Sequence, residues 1–291
     1  MDLLRTLLFL PGNNPGMLQN GGVFGSDAVI LDLEDAVSPQ EKDAARYLIG
    51  YALRHINYRK SKRVVRINPL DCGGADDIAA MVPCGPDALM LPKIDTAEEL
   101  RQIIELIERA EQPGQTPVRV IPLLETPQSI IHAYDIACAH PRVWAISFGA
   151  EDYTAALGAI RSRSGEEILS ARTAVVNAAA AAGIDSIDTP FTDAQDDDGL
   201  LQDSLLARGL GFKGKLAINP RQVDTIHQAF SPTSADIHWA KRVVHALDEA
   251  KMLGSGVIAL DGKMVDAPIV LRAERTLKLA AYLNLQQEDM A

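Results

Sequence analysis

The chain has little cysteine, and its few histidines are scattered. Three cysteines occur among 291 residues, at Cys72, Cys84 and Cys138. Their number is odd and they lack paired metal-ligand spacing, so we expect reduced thiols without a catalytic role rather than a disulfide scaffold. None of the six histidines has a partner at the spacing typical of zinc sites. The sequence therefore does not indicate zinc chemistry.

Basic residues are also in short supply. Lysine and arginine total 28 against 39 aspartates and glutamates, which gives a net charge of -11 and a pI near 5.0. Recognition of nucleic acids or anionic membranes normally needs a basic surface. Both classes of partner are therefore not expected, although a local cationic pocket for one phosphorylated cofactor remains compatible with this composition.

Long apolar runs are absent from the sequence. No run approaches the roughly 20 residues needed to span a bilayer. The opening run 3–10 is interrupted by Arg5 and Thr6, has no basic leader and enters a Pro-Gly turn. A cleaved signal is therefore not expected, and a cytoplasmic location is the default expectation.

Short apolar runs that end in polar residues recur eight times along the chain. With 47% apolar residues, the chain can bury a substantial core. The runs are Leu7–Leu10, Ala28–Leu33, Val64–Ile67, Ala88–Leu91, Val118–Leu124, Val143–Phe148, Ile184–Ile187 and Leu216–Ile218.

Stretches with helical spacing separate these runs. They cover Pro39–Ile56, Thr96–Ala110, Thr126–Ala139, Glu166–Ala182, Asp198–Leu210 and Pro220–Ala229. Alternation of short strands with longer helices is typical of parallel βαβ units. We therefore predict an α/β fold, a TIM (β/α)8 barrel over residues 1–230, with the active site at the rim where its strands end.

The pattern changes after about residue 230. Helical spacing over Thr233–Leu253 and Pro268–Leu285 flanks a hairpin predicted through Val257–Val265, with Asp261-Gly262 at its turn. Because eight strands already precede this tail, we predict that residues 231–291 form a C-terminal lid and oligomerisation extension. It would cover the site of its own chain or of a neighbouring subunit.

Two carboxylates at neighbouring run ends suggest a metal site. Glu125 ends the fifth run, and Asp152 follows the sixth within Phe-Gly-Ala-Glu-Asp-Tyr. Hard oxygen ligands with room for water and substrate oxygens suit Mg²⁺. The alternative is a pair of ordinary loop carboxylates bonded to backbone amides or arginine.

Arg66 lies inside an apolar run and needs a partner for its charge. Its planar donor fork can bind a substrate carboxylate or an oxyanion. A structural ion pair with Asp32, Glu34 or Asp35 is an equally good interpretation of the pattern. Asp32 can instead hold a water at the inner rim.

Two further residues have competing interpretations. Lys93 follows Leu-Met-Leu-Pro at a strand end, where a Schiff-base nucleophile must be considered, but electrostatic support or a salt bridge is favoured. Asp266 precedes Pro268, and local reasoning assigns it as a helix cap.

Several motifs together resemble the citrate lyase β-subunit family of the wider HpcH/HpaI aldolase superfamily. The similarity spans nearly the whole chain in family order and extends to malyl-CoA and citramalyl-CoA lyases. The motifs are Leu-Phe-Leu-Pro-Gly, Leu-Asp-Leu-Glu-Asp-Ala-Val, Val-Arg-Ile-Asn, Leu-Pro-Lys, Leu-Glu-Thr-Pro, Phe-Gly-Ala-Glu-Asp-Tyr, Ile-Asn-Pro-Arg-Gln and Gly-Lys-Met-Val-Asp-Ala-Pro.

The resemblance implies roles for particular residues. Glu125 and Asp152 would be Mg²⁺ ligands, with Glu151 the adjacent competitor, and Glu125 would also contact substrate. Arg66 would bind substrate and stabilise charge on the reacting acyl group. Asp266 would perform acid/base work from a C-terminal lid, in its own or a neighbouring protomer. The family also implies a homo-oligomer, commonly a trimer or hexamer.

The implied reaction is cleavage of a carbon–carbon bond in a 3-hydroxyacyl thioester, giving acetyl-CoA and a keto acid. Citramalyl-CoA, citryl-CoA or malyl-CoA would be the substrate. Three alternatives remain at this stage. They are the β subunit of a citrate lyase complex that uses citryl on an acyl carrier protein, a pyruvate-type aldolase acting on free hydroxy-keto acids, and a non-enzymatic assembly subunit.

Overall fold

Eight parallel strands close into a barrel in sequence order. The structure is a computed structural model that describes residues 2–252, 258–261 and 263–285. The barrel strands are β1 (Thr6–Pro11), β2 (Ala28–Asp32), β3 (Lys62–Arg66), β4 (Ala88–Leu91), β5 (Arg119–Leu124), β6 (Ala145–Phe148), β7 (Asp185–Asp188) and β8 (Gly214–Ala217). Pairing of β1 with both β2 and β8 completes the closure.

Helices follow every strand of this barrel. They are α1 (Pro15–Asn20), α2 (Lys42–His55), α3 (Gly74–Met81), α4 (Ala97–Ala110), α5 (Pro127–Ile131), α6 (Ala133–Ala137), α7 (Ala150–Leu157), α8 (Leu169–Ala182), α9 (Asp197–Leu210) and α10 (Gln222–Phe230). The predicted TIM barrel is thus confirmed. Its strands are buried on both faces, which explains why they read as continuous apolar runs.

Side chains on the two faces of each strand build two separate cores. The interior of the barrel is filled by a cluster that includes Leu7, Ile30, Val64, Met90 and Ile121. The residues that alternate with these along each strand point outward and belong to the larger core between strands and helices. Because apolar side chains fill the barrel, polar groups that do chemistry are left to the rim where the strands end.

A buried ionic cluster lies in the outer layer beneath α8 and α9. Asp188 at the end of β7 accepts two hydrogen bonds from Arg172, each 2.9 Å long, and one of 2.6 Å from Lys215 of β8. Asp203 on α9 bonds to both cations at 2.8 and 2.6 Å. The cluster ties the end of β7 and the middle of β8 to helices α8 and α9.

Two details of the helices differ from the sequence prediction. The single helix predicted over Thr126–Ala139 is wrong, because His132 leaves helical geometry and separates α5 from α6. The ring of His132 instead lies 3.0 Å from the carbonyl of Asp95. In addition, helices α1, α3 and α7 have no counterpart among the predicted helices, because their six to eight residues are too few to establish a period.

The chain divides into two compact units, one from Leu3 to Phe230 and the other from Ser231 onward. In the second, helix α11 (Ser234–Met252) precedes an antiparallel hairpin of β9 (Ile258–Leu260) and β10 (Lys263–Val265) and a final helix, α12 (Ala267–Tyr282). Leu253, Val257 and Gly262 of the predicted elements lie outside the described residues. This unit has its own small core, formed by Ala240, Val243, Val265 and Ala273.

Among the residues that the structure describes, no helix is both long enough and apolar enough to cross a bilayer.

The ionic cluster beneath α8 and α9 predicts a large stability effect. Replacing Asp188 by alanine leaves two buried cations with only Asp203, so the free energy of unfolding should fall by about 3–5 kcal/mol. Urea denaturation of the two proteins measures this. The control is Glu105→Ala, which removes an exposed ion pair with Arg109 and should cost less than about 1 kcal/mol. Equal effects of the two substitutions would contradict the prediction.

Candidate active site

Three of the residues singled out from the sequence lie at the same rim of the barrel. Arg66 is the last residue of β3, Glu125 follows β5 directly, and Asp152 lies in the first turn of α7, just after β6. The carboxyl ends of parallel barrel strands converge on one face. Both Arg66 and Asp152 are close enough to influence the titration of Glu125.

Arg66 binds all three acids that follow β2. Its Nε and Nη2 atoms each donate a 2.7 Å hydrogen bond to the carboxylate of Asp32. Its Nη1 atom lies 2.7 Å from Glu34 and 3.3 Å from Asp35. The ion-pair interpretation of the sequence is therefore confirmed. A guanidinium carries five N–H donors, so these ion pairs are compatible with substrate binding by Arg66 as well.

The geometry around Arg66 keeps the guanidinium charged and fixed. Burial opposes the charge, but the hydrogen bonds and negative charge of Asp32 raise the pKa of Arg66 above its ordinary value. The guanidinium carbon also lies 4.7 Å from the centre of the Phe9 ring.

Asp32 orders the loop that carries the other two acids. Its carboxylate oxygens accept hydrogen bonds from the backbone N–H groups of Glu34, at 3.0 Å, and Ala36, at 3.2 Å. The side chain of Asp32 is almost completely buried. With these donors added to the two from Arg66, the Asp32 carboxylate is held in place as the partner of Arg66.

Glu125 is held out of water at the centre of the rim. Only 3% of its surface is exposed, and its Oε1 atom accepts a 2.8 Å hydrogen bond from the backbone N–H of Lys93. Burial, followed by the charges of Glu34 and Asp152, raises the pKa of Glu125 to about 8. A nearby cation would reverse this effect by stabilising the charged form.

Two backbone features make room for Glu125, and local sequence reasoning missed both. Lys93 has a φ of +53°, which is unusual for a residue other than glycine. Gly149 passes so close that a Cβ placed there would lie 2.8 Å from the Cβ of Glu125 and 2.9 Å from its Oε2. Neither feature has a signature within its own segment, because each depends on a neighbouring strand.

The ammonium group of Lys93 adds positive charge to the acidic rim. Partial burial opposes that charge, but Glu34, Glu125 and Asp152 raise the pKa of Lys93. A raised pKa keeps lysine protonated, which disfavours the Schiff-base alternative because an imine requires the free amine. Electrostatic support is the interpretation that fits this environment.

Space for a ligand adjoins Lys93. A cavity of about 350 Å³ lies between the segments that follow β3 and β4, with Ile67, Leu91 and Ile94 among its apolar lining residues. This volume is within the range of small-molecule sites.

Carboxylates outnumber cations at the rim, which favours a site for a positively charged ligand. The acidic side chains are Asp32, Glu34, Asp35, Glu125 and Asp152, and the basic side chains are Arg66 and Lys93. No group of three or more histidine, cysteine, aspartate or glutamate side chains within the described part of the chain is arranged to hold a metal by itself. Two carboxylates plus water and substrate oxygens nevertheless form a common Mg²⁺ environment. Glu125 and Asp152 fit that donor set.

An ion pair distinguishes the surroundings of Glu151 from those of Asp152. Glu151 lies 2.9 Å from the Nε atom of Arg161. Its carboxylate therefore already has a cationic partner. Asp152, one residue further along α7, influences Glu125 and Lys93 instead.

Asp266 belongs to the other compact unit of the chain. It is the N-cap of α12, where its side chain accepts a 3.3 Å hydrogen bond from the backbone N–H of Ile269, and Pro268 follows in the first turn. The helix-cap interpretation is therefore confirmed. Asp266 is exposed, which leaves its carboxylate accessible within that unit.

The fold and the rim together define a TIM-barrel protein with a carboxylate-rich site at the carboxyl ends of its strands. More specifically, the chain belongs to the HpcH/HpaI aldolase/citrate lyase family, whose sequence profile matches residues 5–220. The membership expected from the motifs is thus confirmed.

Three similar proteins illustrate the range of this family. The chain is 44% identical to the citrate lyase subunit beta of Leuconostoc mesenteroides subsp. cremoris, over 99% of this chain and 96% of that one. It is 32% identical to the mitochondrial citramalyl-CoA lyase of Mus musculus, over 96% and 87% of the two chains. The crystal structure of protein CitE from Mycobacterium tuberculosis in complex with magnesium, acetoacetate and coenzyme A matches with a TM-score of 0.79, 32% identity and coverage of 95% and 98%.

The acidic cluster around Arg66 predicts a pH-dependent stability. Burial, only partly offset by Arg66, raises the pKa of Glu34 to about 7 from 4.5. The folded state therefore holds a proton that the unfolded chain has lost, and its stabilising effect is lost as the pH rises from 4.5 through 7. Glutamine at position 34 does not titrate. The fall in the free energy of unfolding over this pH range should therefore be smaller in Glu34→Gln, by up to about 3 kcal/mol.

Urea denaturation between pH 4.5 and 8, in excess chelator, measures this effect as the difference between wild type and Glu34→Gln. The exposed Glu105→Gln variant is the control and should follow the wild-type curve. Parallel curves for wild type and Glu34→Gln would contradict the raised pKa.

Proposed function

We propose that this protein is a Mg²⁺-dependent carbon–carbon lyase that cleaves a 3-hydroxyacyl thioester to an acetyl thioester and a keto acid. The observation that carries the proposal is the buried Glu125 carboxylate, surrounded by further carboxylates at the rim of a barrel of this family. The relative from Mycobacterium tuberculosis, whose structure contains magnesium, acetoacetate and coenzyme A, supports the same chemistry.

Glu125 and Asp152 would hold the metal in this proposal. When bound, Mg²⁺ would supply positive charge for the substrate hydroxyl and carboxylate oxygens that become the keto acid. The Lys93 backbone N–H fixes one oxygen of Glu125. Glu125 would thereby also orient the substrate, as expected from the sequence.

Arg66 would stabilise the negative charge that cleavage leaves on the thioester. As the carbon–carbon bond breaks, its electron pair moves onto the thioester to form an enolate, and the hydroxyl carbon becomes a ketone. The guanidinium of Arg66 is held by Asp32 before the reaction begins. A donor that is fixed in advance needs no reorganisation at the moment when charge develops.

Asp266 would complete the reaction by returning a proton to the enolate carbon. Over the cycle one proton moves from the substrate hydroxyl to that carbon, which yields the acetyl thioester. In the condensation direction the same carboxylate would act as the base. We propose that residues 1–230 form the catalytic barrel and that residues 231–291 form the lid and the oligomer contacts.

Among the candidate acyl groups, we propose citryl as the first to test. The citrate lyase β subunit is 44% identical to this chain, whereas the citramalyl-CoA lyase is 32% identical. This difference also supports an acyl carrier protein and other lyase subunits as partners, in addition to CoA thioesters. We further propose a homo-oligomer, a trimer or hexamer, acting in the cytoplasm.

The proposed function is tested by mass spectrometry of the products. Purified protein is incubated with citryl-CoA, citramalyl-CoA, malyl-CoA or citryl attached to an acyl carrier protein, in Mg²⁺ or in excess chelator. We expect acetyl-CoA and oxaloacetate from citryl-CoA, and neither product when the metal is removed. Cleavage that persists in chelator would reject the metal requirement. Cleavage of citryl on a carrier protein, but not of any CoA ester, would assign the protein to a multi-subunit complex.

The metal assignment predicts different effects of two adjacent carboxylates. Asp152→Asn should weaken Mg²⁺ binding and lower the cleavage rate by roughly 100-fold or more, because it removes a charged ligand. Glu151→Gln, which changes the carboxylate paired with Arg161, should leave both close to wild type. Isothermal titration with MgCl₂ and the product assay measure the two effects. The reverse order would transfer the ligand role to Glu151.

A further inference from the structure

Helix α7, which carries Asp152, begins without a capping side chain of its own. Its N-cap residue is Gly149, and no side-chain oxygen at that position accepts a hydrogen bond from the first turn. Serine, threonine, aspartate and asparagine are the usual residues at this position because they satisfy the unpaired N–H groups there.

Glycine at this position is a consequence of the neighbouring Glu125. A Cβ at residue 149 would lie 2.8 Å from the Cβ of Glu125 and 2.9 Å from its Oε2. Every capping side chain begins with a Cβ, so none fits here unless Glu125 moves. The close approach of Glu125 therefore prevents a residue at position 149 from capping α7.

A residue that follows the next strand accepts a hydrogen bond from the first N–H of α7. The Oγ1 atom of Thr189, directly after β7, accepts a 3.0 Å hydrogen bond from the backbone N–H of Ala150. Thr189 is 1% exposed and Ala150 is fully buried, so water does not readily replace this bond. Because an unsatisfied buried N–H is costly, the hydroxyl of Thr189 stabilises this position of the first turn of α7.

The residue next to Thr189 is itself fixed. Asp188 is held by Arg172 and Lys215 in the buried ionic cluster. The Thr189 hydroxyl therefore projects from a strand end whose position is determined by the outer layer of the barrel. Asp152 is the third residue of α7, whose first N–H group donates a hydrogen bond to this hydroxyl.

We infer that Thr189 is a positioning residue for the metal site, setting where Asp152 stands relative to Glu125. The inference rests on the proposed role of Asp152 as a Mg²⁺ ligand. Without the Thr189 acceptor, the first turn of α7 shifts to satisfy the Ala150 N–H, and Asp152 moves with it. Outer-shell partners of metal ligands typically change metal affinity about 10- to 100-fold when they are removed.

Isothermal titration of metal-free protein with MgCl₂ alone tests this inference without relying on activity. Thr189→Val keeps the shape of the side chain but removes the acceptor, and we expect Mg²⁺ affinity to fall about tenfold or more. Thr189→Ser keeps the hydroxyl and should bind Mg²⁺ as wild type does. If the valine variant does not fold, Thr189→Ala is used in its place with the same expected loss.

Thr154→Val is the matched control. Thr154 is a buried threonine on the same helix, and its hydroxyl donates to the carbonyl of Ala150 rather than accepting from an N–H group. This variant should keep wild-type Mg²⁺ affinity. Equal losses in Thr154→Val and Thr189→Val would overturn the inference, because they would indicate a general loosening of α7.

Asp152→Asn in the same titration separates this inference from the proposed function. If Asp152→Asn weakens Mg²⁺ binding and Thr189→Val does not, the positioning role is rejected and the metal site stands. If wild type binds no Mg²⁺, or Asp152→Asn binds it unchanged, both the positioning role and the metal assignment are rejected.

Discussion

Carboxyl groups buried at one rim of the barrel are the constraint on which the site depends. Glu125 is buried beside other carboxylates, and its raised pKa measures the cost of that arrangement. The protein offsets only part of this cost, with the guanidinium of Arg66 and the backbone N–H of Lys93. A divalent cation at the rim would offset this cost further, which connects the geometry of the rim to metal-assisted chemistry.

The layers of the barrel divide the work of stability and reactivity. Apolar side chains fill the interior, so reactive groups are confined to the strand ends. Outside the strands, the ionic cluster around Asp188 fixes the end of β7, from which Thr189 reaches the start of α7. Groups far from any ligand thereby set the positions of groups that would contact one.

Much of the architecture is readable from the sequence because it follows from local periodicity. Apolar runs of strand length alternate with helical spacing, and burial of the strands on both faces produces those runs. Short elements and local breaks could not be predicted from this periodicity. Helix α7 has too few turns for a recognisable period, and the break at His132 involves a hydrogen-bond contact with the carbonyl of Asp95, far away in sequence.

The sequence by itself determined the barrel, the family and the rim location of Arg66, Glu125 and Asp152, because strand ends and motifs are properties of short segments. Only the tertiary structure decided that Arg66 binds the three acids at the end of β2 and just after it, and that Glu151 pairs with Arg161. It also decided that Thr189 accepts a hydrogen bond from the first N–H of α7. Each of these contacts joins residues that are separate in the chain. Their partners are chosen by strand order and packing, which local sequence patterns do not encode.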